Sequence, residues 1–408
     1  MTLRRAAPVL VLAASIAALL VVRVFANPSS LDLIIYRGEG VAVRTGQNLF
    51  DAWYGIPGTG PRYHATYPPF AALLFVPLSY LTTHAVIVIA LVANIALLGL
   101  VVDLSRRLVG FSTANRVAVV CIGVAVLLWT EPVYTTLQNG QINLAVLALV
   151  LWDFIRPANS RWTGVGVGLA AGIKVTPTIF IVYLLLTRRF RAAVTATVTF
   201  AGTIAVSALV VPDATWQFWT KLVFDTGRVG RLEKLANQSI RGLVARIDHT
   251  RQVSYVELLV LALVAVAGLA CAARAYRRFG DAWGVPTCAV TGLLVAPIAW
   301  THHWVWCVPI ALLLWQHERR AVLALAVFWT FIVWGVPGNN GMAGLHFDAV
   351  QTLLSGWYVA FGVAFLVGTA LRAHSGRSGL PPPGTPQHVP SEEDLIGQPR
   401  VSPRGRRD

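Results

Sequence analysis

The chain has 408 residues, of which 56% are hydrophobic and 12% are charged, with a net charge of +15. Soluble globular proteins carry about 25% charged residues, so this composition excludes a soluble single-core protein and a disordered one. Apolar runs recur along the whole chain and indicate many membrane-spanning helices. We therefore predict an all-α polytopic membrane protein.

The positive charge could suggest a nucleic-acid partner, but its distribution argues against one. Thirty of the 33 basic residues are arginines, and most stand in short clusters between apolar runs. Because basic loops stay on the cytoplasmic side of a membrane, we interpret these clusters as orientation signals. The first apolar run, 6–26, lacks a convincing signal-peptide cleavage site and is interpreted as an uncleaved first helix.

In chain order, the apolar runs predict about twelve membrane spans. The predicted spans cover residues 6–26, 85–105, 117–131, 142–155, 162–173, 177–187, 191–211, 254–273, 283–299, 304–316, 320–337 and 352–371. Several are shorter than the roughly 20 residues that cross a bilayer squarely, so we expect them to thin the bilayer or to pack against re-entrant segments.

The positions of the arginines provide a test of the predicted spans and their orientation. With a cytoplasmic N-terminus, the arginine-bearing connectors fall inside as well, namely 106–116, 156–161, 188–191, 274–278 and 317–320. The short connectors on the opposite side, 131–141, 300–303 and 338–351, contain no Lys or Arg. The pattern predicts that both termini are cytoplasmic.

Two segments depart from simple spans. Residues 67–81 are apolar but too short, and they predict an interfacial or re-entrant segment at the outer face. The stretch 162–187 is interrupted at 174–177, where Pro177 suits the first turn of a new helix. We predict two half-helices with a break on the outer side, and one kinked helix is the alternative.

The domain organisation follows from these elements. Residues 1–373 form a single membrane domain with two long outer loops, 27–84 and 212–253. The tail 374–408 is rich in Pro, Gly and charge and is predicted to be a disordered cytoplasmic segment. The four cysteines stand in apolar runs without a CxxC pattern, which disfavours a disulfide framework or a metal site.

The unusual polar residues gather at the outer ends of the helices rather than at the span centres, where a transporter would carry them. Asp32 lies between aliphatic residues soon after the first span. Burial would raise the pKa of its carboxyl group and prepare it as a general base. The alternative is that Asp32 caps the following helix.

Two further features point to ligand binding. The segment 130–143 is rich in amides, which suit hydrogen bonds to sugar hydroxyls, although a turn with helix caps has the same composition. Lys174, one of three lysines, stands in the predicted helix break, where free backbone N–H groups favour an anion. A lysine that snorkels to the interface is the alternative.

The outer loop 212–253 and the segment 300–306 complete the polar set. The loop is basic on the side where orientation requires no charge, which suggests anionic lipid headgroups or a phosphate. In Trp300-Thr301-His302-His303-Trp304, an interfacial aromatic belt explains the tryptophans but not the histidines. A zinc pair lacks companion ligands at the usual spacing.

Seven segments together resemble a known family. In order they are Asp32-Leu33-x-x-Tyr36, Thr66-Tyr67-Pro68-Pro69-Phe70, Glu131-Pro132 with Gly140-Gln141-x-Asn143, Gly172-x-Lys174-x-Thr176-Pro177, Gly227-Arg228-Val229-Gly230, Asn237-Gln238-Ser239-x-x-Gly242 and Trp300-Thr301-His302-His303-Trp304. From about residue 30 to 310 the chain resembles glycosyltransferase family 87, polyprenol-phosphate-mannose-dependent mannosyltransferases of actinobacteria with the GT-C membrane fold. Within that family it looks most like the α-(1→2)-mannosyltransferases of phosphatidylinositol mannoside assembly.

The resemblance implies an inverting transfer of mannose from polyprenyl-phosphate-mannose to a hydroxyl of a phosphatidylinositol mannoside. The reaction would take place on the outer face of the cytoplasmic membrane, among membrane lipids. Asp32 would be the base, and His302 or His303 would help the leaving phosphate, orient the acceptor or share the proton. The donor phosphate would contact Lys174, Arg228 and Arg241. The sugar and acceptor contacts would come from Tyr36, Tyr67, Glu131, Gln138, Asn139, Gln141, Asn143, Asn237, Gln238 and Trp300.

No cofactor is expected, since the lipid-linked sugar is a substrate. A divalent metal is not expected either, because Asp32 has no neighbouring acidic cluster. Three alternatives stay open: the same chemistry on lipomannan or lipoarabinomannan, an arabinofuranosyl donor, and a lipid-linked sugar transporter. A non-catalytic subunit that binds a lipid glycan would use the aromatic belt and the basic loop equally well.

Overall fold

A computed structural model describes residues 3–26, 30–55, 63–112, 114, 116–157, 160–336 and 344–375. Over these residues the chain is helical, and the strand-like pairings are the isolated bridges Tyr54–Tyr63 and Asn237–Trp300. The prediction of an all-α protein is confirmed. The predicted disordered tail lies outside the described residues except for positions 374 and 375, as does most of the first half of connector 338–351.

The α-helices follow one another with short connections. They are α1 (Leu3–Ala26), α2 (Leu31–Thr45), α3 (Pro69–Phe75), α4 (Thr83–Leu108), α5 (Arg116–Leu127), α6 (Glu131–Asn139), α7 (Asn143–Phe154), α8 (Val165–Ile173), α9 (Ile179–Leu186), α10 (Phe190–Val210), α11 (Pro212–Thr220), α12 (Ile240–Ile247), α13 (Tyr255–Phe279), α14 (Asp281–Val295), α15 (Cys307–His317), α16 (Ala349–Ser355) and α17 (Trp357–His374). Shorter 3₁₀ segments occupy Val76–Tyr80, Thr176–Thr178, Leu222–Phe224, Thr226–Val229, Thr301–Trp306, Arg319–Phe328 and Gly344–His346.

Five described helices are long and apolar enough to cross a membrane: α1 from Ala6, α4, α10, α13 and α17. A sixth crossing is possible if α5 and α6, which meet at a bend of 78°, count as one broken span. These helices also expose much of their surface, since only 6% of the most apolar stretch of α1 and 22% of that of α13 are buried. The chain is therefore a multi-pass membrane protein by the length and composition of its helices.

The predicted count of twelve spans is not confirmed. The segments expected at 142–155, 162–173, 177–187, 283–299 and 304–316 form helices of 8 to 15 residues. The described part of the span predicted at 320–337, residues 320–336, forms a 3₁₀ segment followed by turns. Their apolar character has another cause: nine of the twelve residues of α7 and eleven of the fifteen residues of α14 are buried inside the protein. Apolar composition marks burial against protein as well as contact with lipid.

The predicted break near Lys174 is confirmed. Helix α8 ends at Ile173, and Lys174 has an extended backbone with φ −148° and ψ 127°. The 3₁₀ turn Thr176–Thr178, with Pro177 in its first turn, then leads into α9. The interruption leaves Lys174 in a position from which it can bond to neighbouring elements.

The short apolar segment at 67–81 becomes α3 followed by the 3₁₀ segment Val76–Tyr80, which packs along α2. The contact is close because Gly40 of α2 has no side chain. A Cβ atom there would lie 2.3 Å from the carbonyl oxygen of Phe75. The glycine therefore allows α2 to lie directly on this segment.

Two buried clusters meet around the 3₁₀ segment Thr301–Trp306. One gathers α4, α7, α14, α15 and α17 around Trp304, Phe328 and Tyr358, which are fully buried. The other gathers α2, α3, α8 and α9 around Tyr36, Phe180 and similar side chains. Because Thr301–Trp306 packs against α6, α7 and α14, it brings the predicted histidine pair to the boundary between the clusters.

Candidate active site

Helix α2 presents a polar stripe to the interior. Asp32, Tyr36 and Glu39 are spaced four and three residues apart, so their side chains share one helix face. Asp32 is the second residue of α2, and the residue before the helix is Ser30, in a left-handed conformation without a side-chain cap. The alternative interpretation of Asp32 as a helix cap is therefore wrong.

Gln141 connects this stripe to the rest of the site. Its Oε1 accepts hydrogen bonds from the hydroxyls of Tyr36 at 2.9 Å and Tyr67 at 3.0 Å. Its side chain also hydrogen-bonds the Asp32 carboxylate, to which only the amide N–H can donate. Gln141 thus holds the carboxylate and both phenols in fixed relative positions.

A glycine makes this arrangement possible. Gly140 ends α6 in a left-handed conformation with φ 71°, and a Cβ atom there would lie 2.7 Å from the Cβ of Leu33. A larger residue would push α2 away and strain the turn. The Gly140-Gln141 pair of the sequence motif therefore brings Gln141 against the helix that carries Asp32.

Burial dominates the electrostatics of Asp32. It raises the pKa of the carboxyl group to about 6, against the opposing effects of the Gln141 hydrogen bond and the charge of Lys174. The group is ionised at neutral pH and yet more basic than an ordinary aspartate. These are the properties that a general base needs.

Lys174 is the second charged residue of this cluster, and it is 8% exposed. Its Nζ donates to Oδ1 of Asn143 at 2.9 Å, contacts Nε2 of His303 at 2.8 Å and lies 5.3 Å from the ring centroid of Tyr67. Burial lowers the pKa of the ammonium group to about 7, while the charge of Asp32 acts in the opposite direction. No carboxylate neutralises Lys174 directly among the ion pairs of the described residues.

The two histidines have different surroundings. As an ammonium, Lys174 can only donate, so Nε2 of His303 accepts and the ring proton lies on Nδ1. The backbone carbonyl of His302 accepts a bond from Nδ2 of Asn143 at 3.0 Å, whereas its own ring Nε2 is buried without a partner. Burial lowers the pKa of His302 to about 3 and that of His303 well below its usual range, with the charge of Lys174 acting in the same direction. Both rings are therefore neutral at physiological pH.

A cleft adjoins this polar cluster. Lys174, Asn143, Thr176 and His303 contribute polar side chains to its lining. The remaining wall comes mainly from apolar residues of α7, α9 and α14 and the segment after α14, including Val150, Phe180 and Leu293. The cleft combines a cationic group with a long apolar surface. Across the described residues, no group of three or more His, Cys, Asp or Glu is arranged to hold a metal ion.

Other predicted site residues lie elsewhere and serve the architecture. Glu131 is fully buried, and its carboxylate accepts bonds from Tyr358 at 2.6 Å, Trp334 at 2.8 Å and Thr135 at 2.8 Å. Gln138 accepts a bond from Arg23 at 2.8 Å, and Asn139 is half-buried at the end of α6. No hydrogen bond or ion pair that the structure shows joins these three residues to Asp32.

The predicted amides Asn237 and Gln238 hold the backbone of the histidine segment. Asn237 Nδ2 donates to the carbonyls of Leu232 and Pro297, and its Oδ1 accepts from Ala299 N–H. Gln238 Nε2 donates to the carbonyls of Leu235 and Ser355. Their polar atoms are used within the protein, so both residues fix the chain that leads to His302.

The remaining three predicted residues lie in the segment 212–253 or, for Trp300, beside it. Arg241 is paired with Glu257 at 2.5 Å and is buried, so its charge is balanced. Trp300 packs beside Gly230, where a Cβ atom would lie 2.8 Å from its ring. Arg228 bonds to the carbonyl of Ala65 and experiences the charge of Glu39.

Glu39 is the polar residue that the sequence argument missed. It is 1% exposed, and burial raises the pKa of its carboxyl group to about 8, with the charge of Asp32 adding to this effect. The available signal was its spacing, since Glu39 stands seven residues after Asp32 and three after Tyr36 on one helix face.

Comparison with known proteins gives a consistent result. Residues 65–297 match the profile of Glycosyltransferase family 87. A polyprenol-phosphate-mannose-dependent alpha-(1-2)-phosphatidylinositol pentamannoside mannosyltransferase of Mycobacterium tuberculosis (strain CDC 1551 / Oshkosh) is 35% identical over 312 residues, which cover 74% of this chain and 71% of that protein. The protein of the same description from Mycolicibacterium smegmatis is 32% identical over 377 residues, 90% of each chain.

A third relative carries a related description. It is a polyprenol-phosphate-mannose-dependent alpha-(1-2)-phosphatidylinositol mannoside mannosyltransferase of Mycobacterium tuberculosis (strain ATCC 25618 / H37Rv), 31% identical over 327 residues, 74% of each chain. No solved structure matches the chain.

Proposed function

This chain belongs to glycosyltransferase family 87, and from that premise we propose that it transfers mannose from polyprenyl-phosphate-mannose to a phosphatidylinositol mannoside. The new linkage is α-(1→2). The names of its relatives supply the donor, the acceptor class and the linkage. The residues around Asp32 and Lys174 supply a mechanism that fits all three.

One observation carries the proposal. A basic carboxylate, Asp32, lies close enough to Lys174 for their charges to interact. Lys174 has no carboxylate partner among the described residues and stands, with Asn143 and His303, at the polar part of an apolar cleft. A glycosyl transfer from a lipid phosphate needs these three parts: a base for the acceptor, a cation for the departing phosphate and an apolar surface for the lipid chain.

The reaction balances with these groups. The acceptor hydroxyl oxygen forms a bond to the anomeric carbon of mannose while the bond from that carbon to the phosphate oxygen breaks. The electron pair of the broken bond stays on the polyprenyl phosphate, beside the Lys174 ammonium. The hydroxyl proton passes to the Asp32 carboxylate. Attack from the face opposite the phosphate converts a β-linked donor into an α-linked product.

His303 acts through Lys174. Because its neutral ring accepts a hydrogen bond from the ammonium, it orients Lys174 without adding a second positive charge. Binding of an anionic phosphate favours the charged form of Lys174, whose pKa of about 7 leaves it partly neutral before the donor arrives.

The apolar cleft suits the polyprenyl chain. Its wall of Val150, Phe180, Leu293 and neighbouring apolar residues starts beside Lys174. A phosphate at the lysine and an isoprenoid chain along these side chains would each meet a chemically matched surface. This arrangement needs no resident divalent metal, since Lys174 supplies the positive charge.

We further propose that residues 1–373 form one GT-C catalytic domain in the cytoplasmic membrane, with the tail 374–408 in the cytoplasm. Both termini are then cytoplasmic and the site faces outward. The arginine-free connectors 131–141 and 300–303 support this orientation, because both adjoin the Asp32 and Lys174 cluster. Cysteine labelling of the outer loops in intact cells tests it.

The decisive experiment is reconstitution. Purified full-length protein is incubated with polyprenyl-phosphate-mannose and a phosphatidylinositol mannoside, and the product is analysed by mass spectrometry and by digestion with an α-(1→2)-specific mannosidase. We expect one added mannose that the mannosidase removes. No transfer to this acceptor, together with transfer to a lipomannan or movement of the donor across a vesicle membrane, would overturn the proposal.

A further inference from the structure

Glu39 is a buried acid that the transfer chemistry does not use. Its side chain is 1% exposed, its Oε1 has no hydrogen-bond partner, and it lies on the α2 face that also carries Asp32 and Tyr36. Leaving a buried polar atom without a partner costs free energy, so such an atom calls for a functional explanation. The side chain is also close enough to Tyr67 for their charges to interact.

Arg228 faces Glu39 from the outer loop. Its guanidinium bonds to the carbonyl of Ala65 and lies 5.3 Å from the ring centroid of Phe50 and 6.0 Å from that of Phe218. Its Nε has no partner. Glu39 and Arg228 experience each other's charge, but they do not form an ion pair within 4 Å.

Each partner therefore retains hydrogen-bonding capacity that the protein does not satisfy. A carboxyl group and a guanidinium that lie near each other, each with an unsatisfied buried atom, match adjacent hydroxyls of a sugar, which accept from the guanidinium and donate to the carboxyl oxygen. Asp225, the other charged group near Arg228, is exposed and lies on the loop itself.

We propose that Glu39 and Arg228 form an acceptor subsite that binds the mannose next to the one whose hydroxyl attacks. The proposal rests on the proposed function, since it assumes a mannosylated acceptor with its attacking hydroxyl at Asp32. Seven residues of helix separate Asp32 from Glu39, a rise of about 10 Å. The adjoining sugar of an acceptor glycan spans this distance from the attacking hydroxyl.

Arg228 lies in the Gly227-Arg228-Val229-Gly230 segment of the outer loop. The glycine at 230 has φ 150° and packs under Trp300, so the loop is anchored on the segment that carries His302 and His303. The loop thereby joins the acceptor subsite to the donor side of the site. Glu39 and Arg228 are positioning residues that select the acceptor by its length.

The test compares two synthetic acceptors, an octyl monomannoside and an octyl dimannoside, with wild-type protein and the variants Glu39→Leu, Glu39→Gln and Arg228→Met. We expect wild type to prefer the dimannoside in kcat/KM. Arg228→Met should reduce this preference by about 10- to 100-fold, the effect of losing a hydrogen bond to a charged group, through the KM for the dimannoside. Glu39→Leu removes a carboxyl group whose pKa of about 8 leaves it largely protonated at neutral pH, and it should reduce the preference by about 2- to 10-fold, the effect of losing a neutral hydrogen bond. Glu39→Gln keeps a carbonyl oxygen and should retain most of the preference.

Asp51→Asn, which alters an exposed carboxylate of the same outer region, is the matched control and should leave the preference unchanged. Gel filtration and thermal melting in detergent establish that each variant is folded. Equal loss of both acceptors would indicate a structural role, and an unchanged preference in Glu39→Leu and Arg228→Met would exclude the subsite. A wild type that transfers to both acceptors without preference overturns this proposal alone, whereas a wild type that transfers neither to these acceptors nor to a phosphatidylinositol mannoside overturns the proposed function as well.

Discussion

The assignment of Asp32 as the base makes the sharpest prediction. Asp32→Asn preserves the shape of the side chain and a polar contact with Gln141, so the surrounding amide and phenol network stays in place. The amide cannot accept the hydroxyl proton. The substitution therefore removes proton transfer while changing little else.

The expected fall in kcat follows from the role of Asp32 as a general base. General base catalysis contributes about 100- to 10,000-fold to a rate, and kcat should fall by that factor. The KM for the donor should change by less than about threefold, since an interaction made only in the transition state lowers kcat without weakening substrate binding.

The pH dependence provides a second readout. Burial raises the pKa of Asp32 to about 6, so the carboxylate is progressively protonated, and loses its function as a base, as the pH falls below that value. Wild-type kcat/KM should decline about tenfold per pH unit on the acidic side. Asp32→Asn should lack this acidic limb, because no titrating base remains at the position.

The assay follows the formation of mannosylated product by mass spectrometry between pH 4.5 and 8.5, with donor and acceptor varied separately. Asp51→Asn serves as the control, because it makes the same chemical change at an exposed carboxylate. A folded Asp32→Asn protein that keeps more than about a tenth of the wild-type kcat would refute the role of the base. So would an acidic limb of the same midpoint in both proteins.

Three further predictions address the other parts of the site. Lys174→Ala should raise the KM for the donor by about 10- to 100-fold and leave the KM for the acceptor nearly unchanged, as measured by initial rates; an equal effect on both would remove Lys174 from the phosphate site. Arg246→Met deletes a fully buried guanidinium that bonds to Ser355 and to the carbonyls of Lys234 and Asn237. It should lower the free energy of unfolding by about 3 kcal/mol. The measurement is the melting temperature, which should be lower than that of Arg231→Met, an exposed control on the same loop. Incubation with excess EDTA followed by assay in metal-free buffer should leave the transfer rate unchanged within about twofold, because Lys174 supplies the charge at the phosphate; a loss that Mg²⁺ or Mn²⁺ restores would contradict this.

The class of fold was predictable from the sequence, but the number of membrane-spanning helices was not. Apolar runs identified the helical membrane protein, and Pro177 identified the interruption after Lys174, because a proline restricts the backbone locally. The predicted count of twelve spans is not confirmed, since α7 and α14 are shorter than a membrane-spanning helix. Their residues are as apolar as those that face lipid, but neighbouring helices cover them. Composition does not report which neighbour covers a residue.

The site was predictable where the chemistry of one residue was unusual. Asp32 among aliphatic residues and Lys174 in a helix break both stood out, and the structure brings them together through Gln141 and Asn143. The family resemblance placed Glu131 among the sugar and acceptor contacts, yet its carboxylate accepts a hydrogen bond from Tyr358, 227 positions along the chain. The local sequence pattern around Glu131 does not indicate such a distant partner.

The amino-acid sequence by itself determined the membrane class, the helical fold and the family, and it predicted Asp32 as the base. Tertiary structure decided which polar groups remain available to a substrate. Arg241 is balanced by Glu257 and Asn237 is bonded within its loop, whereas Glu39 and Arg228 each keep a buried atom without a partner. The physical reason is that burial and pairing depend on contacts between distant segments, while helix formation and membrane insertion depend on the residues near each position.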